Sequence, residues 1–300
     1  MKKIVGLGAN VLDTLIKCES FPKEDTKMKV NKISVCGGGP VGNALVVLSK
    51  LGLSVEMIGS FADDSSGEKI LSELRSFGIG IDNTTTFSGA SSFVSHVIIS
   101  ERDGTRTCLF DRGSVPDDPE IIKYKAIDGA SVLHLDGNYI KCAVKAAEYA
   151  KEAGVKVSLD AGGLYNGIEE LLPLVDILIP SAEFAKGITG KDDVASALLE
   201  LQRRYFPEIL VVTDGANGGY YYADGSVCHY DSSSIKAIDT NGAGDTFHGA
   251  FIAAYCENMS IAECCDFASA VAAYKCLHLG ARGYDLNMEI AKGLLSDKKS

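Results

Sequence analysis

S-V-L-H-L-D-G-N-Y-I-K-C-A-V-K-A-A-E-Y-A-K-E-A-G-V-K-V-S-L-D, residues 131 to 160, contains the pattern that decides the fold. A short apolar run, Ser131–Leu135, reads as a strand. A helical pattern follows through Tyr149, and a second apolar run, Val155–Leu159, reads as another strand. The alternation extends both ways. Ile4–Gly8 reads as a strand and Val41–Leu51 as a helix closed by Gly52; Val55–Ser60 is a strand again. The next helix carries a capping box, Ser65 with Glu68, then an apolar stripe at Ile70, Leu71, Leu74 and Phe77 and a stop at Gly78. Val175–Ile179 and Ile209–Thr213 are further short apolar strands. Nearly continuous apolar strands alternating with amphipathic helices predict an α/β fold, its mainly parallel sheet covered by helices on both faces.

Two segments depart from this rhythm. Val11–Cys36 is polar and extended, with Phe21-Pro22 in its middle. Phe93–Ser100 alternates strictly, with Phe93, Ser95, Val97 and Ile99 on one face, and connects through Glu101-Arg102-Asp103-Gly104 to the extended run Thr105–Asp111. That is a hairpin signal. Together the segments predict a small antiparallel sheet beside the main one, placed to act as a lid. In the C-terminal third, a helix starting near Gly244 is expected to turn Phe247, Phe251, Ala254 and Tyr255 inward. The next begins with a capping box, Ser260 and Glu263.

Bulk properties exclude several classes. A net charge of −11 argues against a nucleic-acid binder, which needs a basic surface. The 9 cysteines are scattered without a C-x-x-C, which fits reduced, mostly buried thiols. The 5 histidines fall at no zinc-ligand spacing relative to them. The N-terminal M-K-K-I-V-G-L-G-A-N lacks a signal-peptide cleavage site, and no apolar run is long enough to span a membrane, so the expected location is cytoplasmic. Gly6-x-Gly8 lacks the third glycine of a dinucleotide fingerprint, since Val11 stands there, and no Walker A sequence occurs.

Asp239-Thr240-Asn241-Gly242-Ala243-Gly244-Asp245-Thr246-Phe247 supplies a different anion site. Its glycines allow positive φ and close approach to the backbone, and they lie where a helix begins, so free N–H groups and the positive end of the helix dipole converge. A carboxylate beside such a site is electrostatically adverse: two unit charges about 4 Å apart repel by roughly 4 kcal/mol at an effective dielectric near 20. Asp245 makes sense there as a general base, taking the proton of a hydroxyl while that oxygen attacks a phosphoryl group held by the amides. The plainer reading is an acidic residue stabilising a helix N-terminus behind glycines that merely turn.

The stretch resembles the D-T-x-G-A-G-D signature of the ribokinase (pfkB) family of carbohydrate kinases. Gly38-Gly39-Pro40-Val41-Gly42-Asn43, followed by a helix to Leu51-Gly52, is similar to that family's G-G-x-x-x-N substrate motif. Val212-Thr213-Asp214-Gly215-Ala216-Asn217-Gly218 resembles its T-x-G-x-x-G nucleotide stretch. The motifs occur in the family's order across nearly the whole chain. The resemblance implies a ribokinase-like three-layer sandwich, a single domain over residues 1–300, with a β lid contributed by about 11–36 and 88–113.

The resemblance also implies roles. Asp245 is the base, and the amides of Gly242, Ala243, Gly244 and Asp245 form the anion hole. Asn10, Asp13, Gly38, Gly39 and Asn43 bind sugar hydroxyls, a carboxylate and a planar amide being suited to vicinal hydroxyls. Thr213, Gly215 and Gly218 line the nucleotide site, with Ser269 where many relatives place an asparagine near adenine. Asp239 and Asn241 sit where many members bind a monovalent cation such as K+. Arg112, ending the lid hairpin, reaches the substrate or forms an exposed ion pair. ATP and Mg2+ are the implied cofactors, and the lid often makes a homodimer interface.

One departure concerns magnesium. The family usually has N-x-x-E after the strand ending near Pro180, but here Ser181-Ala182-Glu183-Phe184 puts phenylalanine at the glutamate position. Glu183, one residue early, is rotated by about 100° on a helix, so it does not simply take over as a magnesium ligand. Among family branches, Val11-Leu12-Asp13, Phe21-Pro22-Lys23-Glu24-Asp25 and Asp111–Asp117 look most like ketohexokinase, which favours a ketohexose such as fructose. Ribose and nucleosides are the alternatives in the same family. A non-catalytic sugar or nucleotide sensor on a kinase scaffold is the alternative from another class.

Overall fold

The computed structural model describes residues 2–102 and 105–299. Among these residues the chain begins with strands β1 (Lys3–Leu7), β2 (Val11–Cys18) and β3 (Lys32–Gly38), helix α1 (Pro40–Lys50), strands β4 (Ser54–Met57) and β5 (Gly59–Ala62), and helix α2 (Ser65–Ser76). The middle holds β6 (Thr84–Phe87), β7 (Phe93–Ser100), β8 (Arg106–Asp111), β9 (Val132–Leu135), α3 (Ile140–Glu152), β10 (Lys156–Ala161), α4 (Ile168–Leu171), β11 (Ile177–Pro180), α5 (Ala182–Thr189) and α6 (Val194–Tyr205). The last third holds β12 (Ile209–Thr213), β13 (Gly219–Ala223), β14 (Ser226–Tyr230), α7 (Ala243–Cys256), α8 (Ile261–Cys276) and α9 (Met288–Lys299).

The main sheet has the order β14-β13-β12-β11-β10-β9-β1-β4. It is parallel from β12 to β4, with β13 and β14 antiparallel at one edge. Successive side chains of each inner strand point to opposite layers. Ile4, Val132, Ile177 and Val211 pack with α1, α2, α7 and α8, while Val5, Leu133, Leu178 and Val212 pack with α3, α5 and α6. Burial on both faces is why these strands read as unbroken apolar runs. Each fully buried Leu or Ile contributes about 1.5–3 kcal/mol to holding the three layers together.

Helix α7 runs between α1 and α8 and is buried almost all round, from Thr246 to Ala254. Phe247, Phe251 and Ala254 point inward as expected, whereas Tyr255 is only partly buried. The Ser260–Glu263 capping box is present at the start of α8. The one expected on α2 is not: Asp64 is the N-cap, its carboxylate accepting from Gly67 N–H at 2.8 Å, and Ser65 is already helical. The carboxylate one residue upstream out-competes the serine because it also accepts from Ser92 Oγ and N–H.

The segments that broke the α/β rhythm form a separate sheet of order β3-β2-β7-β8. Its outer pairings are antiparallel, and the central pairing of β2 with β7 is parallel, Val11 opposite Phe93 and Asp13 opposite Ser95. The expected turn at Asp103-Gly104 lies outside the described residues. Leu15, Val97 and Ile99 form a small core on one face of this sheet. The opposite face carries Ile33, Val35 and Leu109, all exposed. No helix among the described residues is long and apolar enough to cross a membrane.

Candidate active site

In an open parallel sheet the strands' carboxyl ends gather at one rim, and ligands bind in the crevice outside it. Here β1, β9 and β10 deliver Gly8, Asp136 and Asp160 to that rim. Gly242 caps α7 at φ +76°, a left-handed conformation, and a Cβ there would stand 2.6 Å from the Ala281 Cβ. Only glycine fits. Gly244, by contrast, faces open space, with nothing within 4 Å of where a Cβ would lie. Of the expected anion-hole amides, that of Ala243 already donates to Thr240 O at 3.2 Å, whereas those of Gly244 and Asp245 lie in the first turn, where a helix leaves its N–H groups for a ligand.

The carboxylate of Asp245 sits in that first turn, half-buried. Asn43, on α1, donates from Nδ2 to Asp245 Oδ2 at 2.6 Å, which joins the two expected motifs in one contact. Arg282, in the loop before α9, fixes the amide from behind: its Nε donates to Asn43 Oδ1 at 2.7 Å and its Nη2 to Gly38 O at 2.9 Å. Glu73 on α2 lies 3.6 Å from Arg282 Nη1 and also accepts from Gly37 N–H. With its oxygen occupied by Arg282, the Asn43 amide has one orientation, and the nitrogen faces Asp245. A Cβ on Gly37 or Gly42 would collide with the guanidinium, at 2.0 and 2.5 Å, so the glycines of this segment make room for it.

Asp13, on β2 of the small sheet, is buried and accepts from Ser95 Oγ on the neighbouring β7 at 2.6 Å. Burial pushes its carboxyl up, and the Ser95 hydrogen bond opposes that rise. A Cβ on Gly38 would fall 2.0 Å from Asp13 Oδ2, and Gly39, at φ +93°, would meet Ala9 O at 2.2 Å. Asn10 donates to Gly8 O at 3.2 Å and leaves its Oδ1 buried without a hydrogen-bond partner. Asn10, Asp13, Gly38, Gly39 and Asn43 are thus brought to one wall of the cleft.

Behind Asp245 lies a group of ionisable side chains that the sequence reading did not single out. Asp136 accepts from Ala9 N–H at 2.8 Å and Asn138 N–H at 2.9 Å, and burial raises it to about 6. Asp160 pairs with His248, Oδ1 to Nε2 at 3.2 Å. Burial works to raise Asp160, but the His248 imidazole holds it below the usual carboxylate range. His134, its ring tilted against that of His248 with centroids 5.6 Å apart, is driven down to about 3 by burial and the neighbouring imidazole. Asp245 itself is raised to about 6, by burial and then by the charge of Asp160, against the Asn43 hydrogen bond. A carboxylate at the C-terminal end of a buried strand was the available signal for Asp136 and Asp160. His248, one turn after Asp245, reads in sequence as another inward residue.

On the far side of the α7 N-terminus, Gly218 turns the chain at φ +79° where a Cβ would strike Tyr230 O at 2.0 Å, and Gly215 takes φ +55°. Thr213 ends β12, next to them. A cavity of about 640 Å³ opens beyond, between β13–β14 and α8, lined by Tyr230, Ser233, Ala270, Ala273, Tyr274 and Leu277 among others. Small residues on α8 leave a slot of the size that holds a planar base. Ser269 is buried and donates to Asp231 O at 3.2 Å, so its hydroxyl ties α8 to the cavity's rim.

Other expected residues take different positions. Arg112 donates through Nη2 to Asn138 Oδ1 at 2.8 Å and Asn138 O at 3.0 Å, and lies over the Phe93 and Tyr165 rings. It ties the segment after β8 to the loop after β9, and makes no ion pair among the described residues. Phe184 is fully buried in the core under α5, whereas Glu183 is exposed. No group of three or more His, Cys, Asp or Glu able to hold a metal ion occurs among the described residues. Asp239 is buried, with Oδ1 accepting from Asn241 N–H and Oδ2 from Gly280 N–H, each at 2.8 Å.

Residues 1–286 match the family described as "pfkB family carbohydrate kinase". An ATP-dependent ribose-1-phosphate kinase from Halopiger xanaduensis is 26% identical over 290 residues, covering 94% of this chain and 94% of that protein. Ketohexokinase from Mus musculus is 26% identical over 297 residues, covering 95% of this chain and 98% of its own. The solved structure of Arabidopsis thaliana ribokinase complexed with ribose and ATP is similar at a TM-score of 0.82 and 25% identity, covering 98% of each chain.

Proposed function

Because the chain belongs to the pfkB family of carbohydrate kinases, with its ribokinase-like fold and use of ATP, we propose that it phosphorylates a hydroxyl of a small neutral sugar, a ketohexose such as fructose first among them. The observation that carries this reading is the 2.6 Å contact between Asn43 and Asp245 at the mouth of the α7 amide cradle. With one carboxylate oxygen held by Asn43, the other oxygen of Asp245 is left to accept the proton of a sugar hydroxyl placed beside the pair, within reach of the anion site.

In this mechanism Asp13, Asn43 and Asn10 orient the sugar. Asp245 accepts the proton of the attacking hydroxyl as the oxygen bonds to the γ-phosphorus of ATP and the bond to the bridging oxygen of ADP breaks. The amides of Gly242, Gly244 and Asp245 stabilise charge on the equatorial oxygens, while that of Ala243 donates to Thr240 O. The cavity beside α8 takes the base, and the turn at Thr213, Gly215 and Gly218, which is not part of that cavity's lining, is read as contributing to the same nucleotide site. Phe184 offers no ligand and Glu183 is exposed, so a magnesium ion would be held by the nucleotide's phosphates and by water. Magnesium supplies charge neutralisation to the phosphates when bound.

A neutral substrate is favoured because the bonds of Arg282, a buried cation of the sugar wall, are turned toward Asn43, Gly38 and Glu73. Ribose and nucleosides are the runners-up, motivated by the relatives' activities. We propose that residues 1–300 act as one domain and that the exposed apolar face of the lid, with Ile33, Val35 and Leu109, pairs with a second copy. A panel of ketohexoses, pentoses and nucleosides scored for ADP release tests the substrate. Release highest with fructose supports the reading, and release confined to ribose or a nucleoside replaces it with the alternative.

A further inference from the structure

Lys275, near the end of α8, is fully buried at 0% exposure. A buried ammonium is costly unless it is paired. Lys275 Nζ donates to the backbone oxygen of Asp239 at 2.7 Å and lies 3.9 Å from Asp239 Oδ2. That carboxylate holds the N–H groups of Asn241 and Gly280, and so fixes both the loop leading to the anion cradle and the loop carrying Ala281 and Arg282. The group completing this junction is a side chain of the protein itself.

The residues at Asp239 and Asn241 therefore do not fit a monovalent ion. A cation on the backbone oxygen or on Oδ2 of Asp239 would stand beside the Lys275 ammonium, 2.7 and 3.9 Å from those atoms, and be repelled by it. We propose that the Lys275 ammonium is a built-in cation: it supplies, behind the anion-hole loop, the positive charge that an exchangeable ion would otherwise provide, and makes the protein independent of K+. The ammonium compensates Asp239 and adds to the field that favours negative charge at the α7 N-terminus. A tethered charge, unlike a bound ion, does not dissociate as the salt changes.

This inference rests on the kinase reading only for its activity arm. The first measurement is thermal melting of the wild-type protein in KCl, NaCl or choline chloride at equal ionic strength. Equal midpoints are expected; a K+-specific rise of about 2 °C or more would mark a bound ion and overturn the proposal. The second is phosphoryl transfer in the same salts, expected to agree within about twofold, whereas activation of roughly tenfold by K+ overturns it. In Lys275→Met the transfer rate is expected to fall by roughly tenfold or more with nucleotide affinity kept, and wild-type turnover in that variant also overturns it. If Lys275→Met does not fold, the wild-type salt comparison decides. If no sugar is phosphorylated, the substrate reading fails while the melting comparison still judges Lys275.

Discussion

Asn43 donates to Asp245 at 2.6 Å across a sequence separation of 202 residues, and its orientation is set from behind by Arg282. The contact joins the N-terminal half of α1 to the first turn of α7. It joins the proposed sugar wall to the proposed phosphate cradle, and the following predictions draw on it.

Activity should fall on the acid side at a pH higher than for an ordinary carboxylate. Asp245 works as a base only when deprotonated, and burial with the charge of Asp160 raises it to about 6. Lowering the pH through about 6 therefore removes the base, and kcat/KM declines with it. Removing the Asn43 hydrogen bond, which opposes that rise, moves the decline to higher pH. The profiles of wild type and Asn43→Leu, measured from pH 5 to 8, check both statements. A variant limb at the wild-type position would contradict the coupling.

Gly242→Ala should destabilise the protein by about 1–3 kcal/mol, because the position is left-handed and an added methyl meets Ala281. A lowered melting midpoint is the expected result. Gly244→Ala, where a Cβ meets nothing within 4 Å, should leave the midpoint near wild type. It should raise the KM for ATP, since the methyl occupies space reserved for phosphate.

Pairing through the lid predicts that Val35→Asp with Leu109→Asp shifts the protein from dimer to monomer in light scattering. Each places a charge on the exposed apolar face of the sheet formed by β2, β3, β7 and β8. An unchanged mass would place any dimer contact elsewhere.

The parallel strands were readable in the sequence because burial on both faces leaves unbroken apolar runs, as at Ile177–Pro180. Asp245 and Asn43 were readable because each sits in a short motif whose backbone demands are local, such as the positive φ of Gly242. What was hidden depends on distant partners. The choice of Asp64 over Ser65 as N-cap is decided by Ser92, and the parallel pairing of β2 with β7 by register across separate segments. Arg282, Lys275 and the His248–Asp160 pair are polar residues in otherwise ordinary sequence. Nothing local announces that a charge will be buried, because its partner is supplied by the fold.

The central claim is that Asp245 takes the proton of the attacking hydroxyl. Asp245→Asn keeps the shape and the contact with α1 but removes the base. The measurement is sugar-dependent ADP production by the variant, with ATP affinity determined by calorimetry on the same sample. The account predicts a loss of roughly 10²–10⁴-fold in transfer with nucleotide affinity within a few-fold of wild type. Turnover at the wild-type rate would contradict it.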